Sequence, residues 1–356
     1  MSHWQDILAE IYEKGTTWSA NNRRGKTVKN RINLLPLEGE FYKANLHSHT
    51  TISDGRLTPC QDKEAYKRRG YHILAITDHR IYGNHEELNE EDFLVIPAIE
   101  VDINQVSAER LCPEDKTYHI NLYDTRPDFK AEEKKKGICP QRRYGDFEYI
   151  NSYIQDMKEL GFLACYNHPY WSMQSYEDYS GLKGFFAMEI YNHGCEHDGL
   201  YGYNPQAYDE MLRLGNRMWC VATDDNHNCF PLDAPLSDSF GGFTMIKSKE
   251  LTLDAVMQAL IKGEFYCSMG PEIHELYIEG DELVVKTSPV QKIYVKMDAT
   301  RCYRKVDLSE KGLTEARFKL DGNEKYIRVE IKDKDGKFAN SNAYFLEDIG
   351  YGEGEN

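Results

Sequence analysis

From residue 41 the chain repeats one arrangement of apolar and polar positions. A short run rich in β-branched, aromatic or aliphatic residues ends in a polar residue able to bind a metal, and a helical or loop segment follows. The run Phe41–Leu46 ends in His47, Ile73–Thr77 ends in Asp78-His79, and Phe93–Ile99 ends in Glu100. A shorter run around Tyr118–Leu122 carries His119, and Phe162–Asn167 ends in His168. Phe186–Tyr191 ends in Asn192-His193, and Met218–Thr223 ends in Asp224-Asp225-Asn226-His227. Apolar runs of this length, bounded by turn residues, predict buried strands. The segments between them predict helices. Thr58 as N-cap with Pro59 at the first position starts one over 58–69, and Gly70 stops it. Others are predicted over 146–160, 205–214 and 251–262, each ending at a glycine. Strands alternating with helices imply a parallel sheet, and seven such units with polar residues at the strand ends predict an α/β fold, a β/α barrel.

Two stretches depart from this rhythm. Residues 2–14 have helical spacing, with Trp4, Ile7, Leu8 and Ile11 on one face, and a basic, Asn-rich connector follows. Residues 124–146 are charged and irregular, the pattern of an excursion over the barrel mouth, with Lys134-Lys135-Lys136 read as a solvated face. From about residue 271 the period changes to two. Alternating stretches at 275–278, 282–287, 291–297, 316–320, 327–331 and 343–345 are separated by turn signals such as Asp321-Gly322-Asn323, which predicts a small antiparallel sandwich. The expected organisation is an arm over 1–40, a barrel over 41–270 and an all-β sandwich domain over 271–350.

Composition narrows the function classes. Of 356 residues 40% are hydrophobic, enough for a core, and the net charge of −16 disfavours nucleic acid and anionic membrane surfaces as partners. Nine scattered cysteines with no CxxC pair fit reduced thiols. The N-terminus reads as no signal peptide, and no apolar run approaches the roughly 18 residues that span a bilayer. A cytoplasmic location is the expectation.

The candidate chemistry lies at the strand ends. In LHSHTTISDG, residues 46–55, His47 and His49 are two apart on an extended segment and point to one side, and Asp54-Gly55 turns a carboxylate back toward them. Six of the twelve histidines (His47, His49, His79, His119, His168 and His227) and three acids (Asp54, Glu100, and Asp224 or Asp225) occupy such positions. So many like groups at one mouth would repel without cations, and they are too many for one tetrahedral ion. Two or three divalent ions sharing ligands is the economical reading, and His/Asp/Glu mixtures suit Zn, Mn and Fe alike.

These segments resemble a known family. LHSHTTISDG, AITDH (75–79), IPAIE (96–100), YHINLY (118–123), YNHP (166–169) and ATDDNH (222–227) are similar, in order, to the motifs of the PHP phosphoesterases, the polymerase and histidinol phosphatase superfamily. The resemblance spans residues 41 to 275 and implies a distorted seven-stranded β/α barrel with a trinuclear metal site. The ligands it implies are His47, His49, Asp54, His79, Glu100, His119, His168, an aspartate of the last motif and His227, with Glu100 bridging two ions. That last motif departs from the family's Ser-Asp-x-His, so either Asp224 or Asp225 matches; Asp224, directly after the strand, is the expected ligand. Arg80 stands where many relatives carry an acid and is expected to meet a substrate phosphate, the alternative being a surface ion pair. His193 is expected to reach the substrate, the alternative being a supporting or capping role.

The implied activity is hydrolysis of a small phosphoester, monoester or diester, by a hydroxide bridging two metals, with Glu100, Arg80 and His193 as the catalytic residues. The alternative keeps the metals and changes the bond to a carboxyl ester, carbamate or amide. A third reading, a non-catalytic scaffold, would need lost ligand positions, and none is lost. The sequence names neither the substrate nor the oligomeric state.

Overall fold

A computed structural model describes residues 31–106 and 114–351. The predicted helix over 2–14, Cys112 and all of the tail after Tyr351 lie outside the described residues. The chain divides into two compact units, residues 38–270 and the segments before 38 and after 270.

The first strand, β1 (Arg31–Asn33), belongs to the smaller unit, and β2 (Glu40–Asn45) opens the larger one. The larger unit continues with β3 (Ile73–Ile76), β4 (Leu94–Val106), β5 (Glu114–Asp124), β6 (Phe162–Tyr166), β7 (Ala187–Asn192), β8 (Trp219–Thr223), β9 (Phe243–Ser248) and β10 (Phe265–Ser268). They form a mixed α/β fold around one large sheet in the order β10-β9-β2-β3-β4-β5-β6-β7-β8. All seven predicted runs are strands, and β9 and β10 were not foreseen. Pairing is parallel for β2–β3, β3–β4, β6–β7 and β7–β8. It is antiparallel for β4–β5 and β5–β6, so the expectation of a parallel sheet fails at β5. The two long strands β4 and β5 pair directly with each other instead. β9 and β10 add a further antiparallel edge on β2.

The helices occupy the predicted gaps: Pro59–Arg68, Phe147–Glu159, Pro205–Arg213 and Leu253–Lys262. Thr58 caps the first through a reciprocal box with Gln61, satisfying two otherwise orphaned amides. Strands β3, β6 and β7 are buried along their whole length, as strands covered on both faces must be. Tyr66 and Tyr71 join Leu74, Ile76, Phe93, Val95 and Phe243 in one apolar cluster. The solvated reading of the lysine block is corrected in one position. Lys134, in the helix Ala131–Lys136, is buried, with Nζ 2.7–2.8 Å from both carboxylate oxygens of Asp124 and 2.7 Å from the Arg126 carbonyl. Tyr82 donates to the same carboxylate at 2.6 Å. A buried ammonium needs such compensation, and it anchors the excursion to β5.

Main-chain contacts continue past the strand ends and set them side by side. Asp225 N donates to the His47 carbonyl at 2.9 Å and His49 N to the Asn226 carbonyl at 3.0 Å, a parallel bridge between Ser48 and Asn226. Thr77 N donates to Ser48 O, Glu100 N to Thr77 O, and Asn167 N to His119 O. The ends of β2, β3 and β8 and the middle of β4 are thus held in one layer, and the end of β6 is joined to the middle of β5.

Among the described residues the smaller unit is all-β. β1 pairs antiparallel with β11 (Ile273–Glu279), so residues 31–33 belong to this unit and not to a separate arm. One sheet has the order β1-β11-β12-β15, where β12 is Glu282–Val290 and β15 is Leu313–Lys319. A second runs β14-β13-β16-β17, with β13 Lys292–Met297, β14 Tyr303–Val306, β16 Tyr326–Lys332 and β17 Phe338–Ser341. A short β18 (Tyr344–Phe345) also pairs with β16. Along β13 buried and half-buried positions alternate strictly, the period-2 signal read from the sequence.

Candidate metal centre

Among the described residues, four overlapping groups of side chains bring metal-ligating atoms within 4.8 Å of one another. They are His49, Asp54, His79 and His227; His47, His49 and Glu100; His47, His168 and Asp225; and Glu100, His119 and His168. Glu100 lies at the centre. Its Oε2 is 2.9 Å from His79 Nδ1 and 3.4 Å from His49 Nε2, and its Oε1 is 3.1 Å from His119 Nδ1 and 3.3 Å from His47 Nε2. Asp225 Oδ1 is 3.1 Å from His47 Nε2 and 3.0 Å from His49 Nε2, while its Oδ2 is 3.6 Å from His168 Nε2. Asp54, more exposed, faces His227 Nε2 at 3.5 Å and His79 Nε2 at 3.8 Å.

Eight of the nine expected ligand positions therefore converge, and the ninth moves by one residue. Asp224 is not in the cluster. Its carboxylate accepts from the backbone amides of Phe240 (2.7 Å), Gly241 (2.9 Å) and Gly242 (2.7 Å), and from the Tyr66 hydroxyl at 2.7 Å. Asp225 takes its place because its backbone is left-handed, φ 55°, which turns the second acid away from the first. Aspartate tolerates that conformation better than most residues. The backbone of His168 is also at positive φ, 21°.

The two other expected catalytic residues sit differently. Arg80 makes a forked ion pair with Asp102 through Nε and Nη2, the latter 2.8 Å from Oδ2, so that edge of the guanidinium is committed within the protein. His193 belongs to none of the four groups; its Nδ1 is 2.8 Å from the Tyr191 hydroxyl and its Nε2 3.3 Å from His197 Nε2.

Three supporting residues escaped the sequence reading. Glu189, 1% exposed in the middle of β7, accepts from His47 Nδ1 at 2.7 Å, from the Thr223 hydroxyl at 2.7 Å and from Asn192 Nδ2 at 3.0 Å. Because a carboxylate only accepts, His47 carries its proton on Nδ1 and presents Nε2 to the cluster. An acid inside an otherwise apolar run was the available signal. Asp78 pins the 50–53 turn, accepting from Thr50 N (2.8 Å), Thr50 Oγ1 (2.7 Å) and Ser53 Oγ (2.7 Å). Asn167 donates to Glu100 Oε1 at 2.9 Å. His227 donates from Nδ1 to the Asp225 carbonyl at 3.0 Å, which leaves Nε2 toward Asp54.

The electrostatics are those of groups packed closer than their solvation allows. Burial works to raise Glu100, yet His119, His47 and His79 hold it well below the usual carboxylate range. Burial likewise opposes the His47 proton, and Asp225, Glu189 and Glu100 override it. His49 is pushed down to about 4, by burial first. His79 and His227 rise to about 9 against burial, held up by Glu100 and Asp54 respectively. His49 Nδ1, Glu100 Oε2 and His168 Nε2 are buried and make no hydrogen bond. Buried polar atoms without partners are costly, and convergent imidazole and carboxylate atoms are a donor set for divalent first-row metals. The residues present fit such ions.

The chain is similar to solved structures of PHP-like metal-dependent phosphoesterases. One is a two-domain Bacteroides vulgatus protein assigned a PHP-like metal-dependent phosphoesterase, at 16% identity over 90% of this chain and 99% of that one, with a TM-score of 0.45. A Bifidobacterium adolescentis protein assigned as a metal-dependent phosphoesterase matches at 15% identity over 54% of this chain and 89% of its own, TM-score 0.33. An amidohydrolase from Chromobacterium violaceum, with bound sulfate and no metal, matches at 15% identity over 52% and 87%, TM-score 0.32. No protein-family model and no curated protein matches the chain. No described helix is long and apolar enough to cross a membrane.

Proposed function

We propose that the larger unit is a PHP-type barrel whose strand ends hold two to three divalent ions and hydrolyse a small phosphoester. The observation that carries this is the sharing of ligands: Glu100, His47, His49 and His168 each belong to two of the four groups. Closure of seven strands into a distorted barrel is supported by the Ser48–Asn226 bridge, which brings the end of β8 beside the end of β2. The proposed ligands are His47, His49, Asp54, His79, Glu100, His119, His168, Asp225 and His227, with Asp225 in place of Asp224.

When bound, such ions lower the pKa of water and neutralise phosphoryl oxygens in an in-line displacement. The chain's own residues supply the geometry. Glu189 and the Asp225 carbonyl fix two imidazoles in the tautomer that faces the centre. Glu100, fully buried and tied to Asn167, spans the two halves of the cluster. The main-chain links between strand ends hold ligands from β2, β3, β4 and β8 on rigid elements, which is what positioning at this scale requires.

The test is phosphate release from a panel of monoesters and diesters by metal-replete protein, with His47→Ala as control and an aryl carboxylate ester beside it. Release that depends on His47 supports the reading. Equal, background release by both proteins sinks it, and turnover of the carboxylate ester alone moves the activity to the other bond.

A further inference from the structure

Beside the cluster stands an aromatic wall that the metal chemistry does not use. Trp171 follows the ligand His168 by three residues. Its ring centroid lies 5.2 Å from that of His168 and 5.9 Å from that of His119. The indole N–H donates to Asp198 Oδ2 at 3.0 Å, which ties the turn after β6 to the turn after the helix His193–His197. The same two turns meet again where Tyr170 and Tyr201 pack edge to face at 5.0 Å. Both turns expose apolar side chains: Tyr170 is 47%, Met173 52% and Leu200 74% exposed. Met173 and Leu200 are held at φ 56° and 65°, a conformation unusual for such residues. Neither turn, Tyr170–Met173 or Asp198–Tyr201, contains a lysine or arginine.

Trp171 alone could be packing for two ligand histidines. That does not account for exposed apolar side chains on both turns of a chain of net charge −16, nor for the two links that hold the turns together, Trp171–Asp198 and Tyr170–Tyr201. The π-faces of turns that themselves carry no lysine or arginine suit a flat, uncharged group. Resting on the phosphoesterase reading, we propose that Trp171 and the Tyr170–Tyr201 pair form the leaving-group subsite, and that the preferred substrate is a phosphomonoester of an uncharged aromatic alcohol. In the reaction, water oxygen forms the new bond to phosphorus. The bond from phosphorus to the alcohol oxygen breaks, and the alcohol leaves with a proton, so that ester and water become alcohol and inorganic phosphate.

The experiment compares phenethyl phosphate with propyl phosphate, whose alcohols are of similar basicity, on metal-replete full-length protein. The phenethyl ester should be favoured about tenfold in kcat/KM, mainly through KM. Trp171→Ala should bring the two esters within about twofold of each other, and Trp171→Phe should restore most of the preference. A purely structural Trp171 would lower both esters alike and leave their ratio unmoved, which would overturn the proposal, as would a ratio near one in the unaltered protein. Calorimetric binding of phenethyl and propyl phosphonates reads the same wall without turnover. If neither ester is hydrolysed but the phosphonate preference depends on Trp171, the subsite stands and the phosphoesterase reading fails. If both esters turn over without preference, the subsite fails alone.

Discussion

Asp224 and Asp225 are neighbours in the chain and occupy opposite surroundings. Asp224 lies in a cradle behind the site, where three backbone amides and a tyrosine hydroxyl satisfy its oxygens. Burial still pushes its carboxyl up to about 7. The cradle extends through Tyr66 and Asn226 to Asp62, whose Oδ1 accepts from Asn226 Nδ2 at 3.0 Å. Asp225 faces the cluster, where burial would also raise it but His47, His49 and His168 hold it far below the carboxylate range. One region spends its polar atoms on the protein and the other keeps them for something that carries positive charge. The same residue type is a structural strut in the first and a candidate ligand in the second, and the difference is which donors the backbone supplies.

The comparison can be broken at its sharpest point first. Asp225→Asn should lower metal content and cut phosphate release by more than about a hundredfold, beyond the loss of an outer-shell partner. Elemental analysis of Asp224→Asn beside it should show most of the metal retained, and equal loss in both would erase the distinction. Asp224→Ala should instead cost about 3 kcal/mol or more of stability, because it orphans several buried donors at once. An unchanged urea midpoint would mean that the cradle is not a strut. Next in size is Glu189→Gln, expected to weaken metal affinity about ten- to a hundredfold by loosening the His47 tautomer. Competition with a chelator reads that effect, and no change would place Glu189 outside the site's machinery.

The smallest effect concerns the far end of the cradle. Asp62 is fully buried and its carboxyl is raised from 3.8 to about 8, by burial first. The folded chain holds that proton up to about pH 8, whereas the unfolded chain releases it near pH 4. Its contribution to stability is therefore complete below pH 4 and is lost as pH rises through 8. Asp62→Asn should gain on the unaltered protein over that window in metal-free urea unfolding and then hold a constant lead. A lead that shrinks with pH would reverse the assignment.

Much of this was legible in the chain because the signals are local. Most of the apolar runs that became β2 to β8 end where a residue of the cluster or its neighbour stands, and Thr58-Pro59 and the terminal glycines marked the helices. The unforeseen elements are those whose definition is non-local. β9 pairs with β2, some 200 residues earlier in the chain, β10 pairs with β9, and β5 lies antiparallel to both of its neighbours. Lys134 looked solvated because its partner Asp124 is ten residues away and met only through the fold. Glu189 was hidden inside a run whose period matched a buried strand.

The sequence by itself determined the residue types of the cluster, their order and, except for Glu100 and His119 inside β4 and β5, their placement at or just after strand ends, because side-chain chemistry and strand periodicity are written along the chain. It also carried the choice between Asp224 and Asp225 only as an ambiguity. Tertiary structure decided that choice, through a left-handed turn at Asp225 and three amides that arrive from residues 240–242. It decided too that Arg80 is held by Asp102 and that Trp171 stands against two histidine rings of the cluster. Which partner satisfies a buried polar group depends on what the rest of the chain brings within about 3 Å of it, and distance in space is not a property of spacing in sequence.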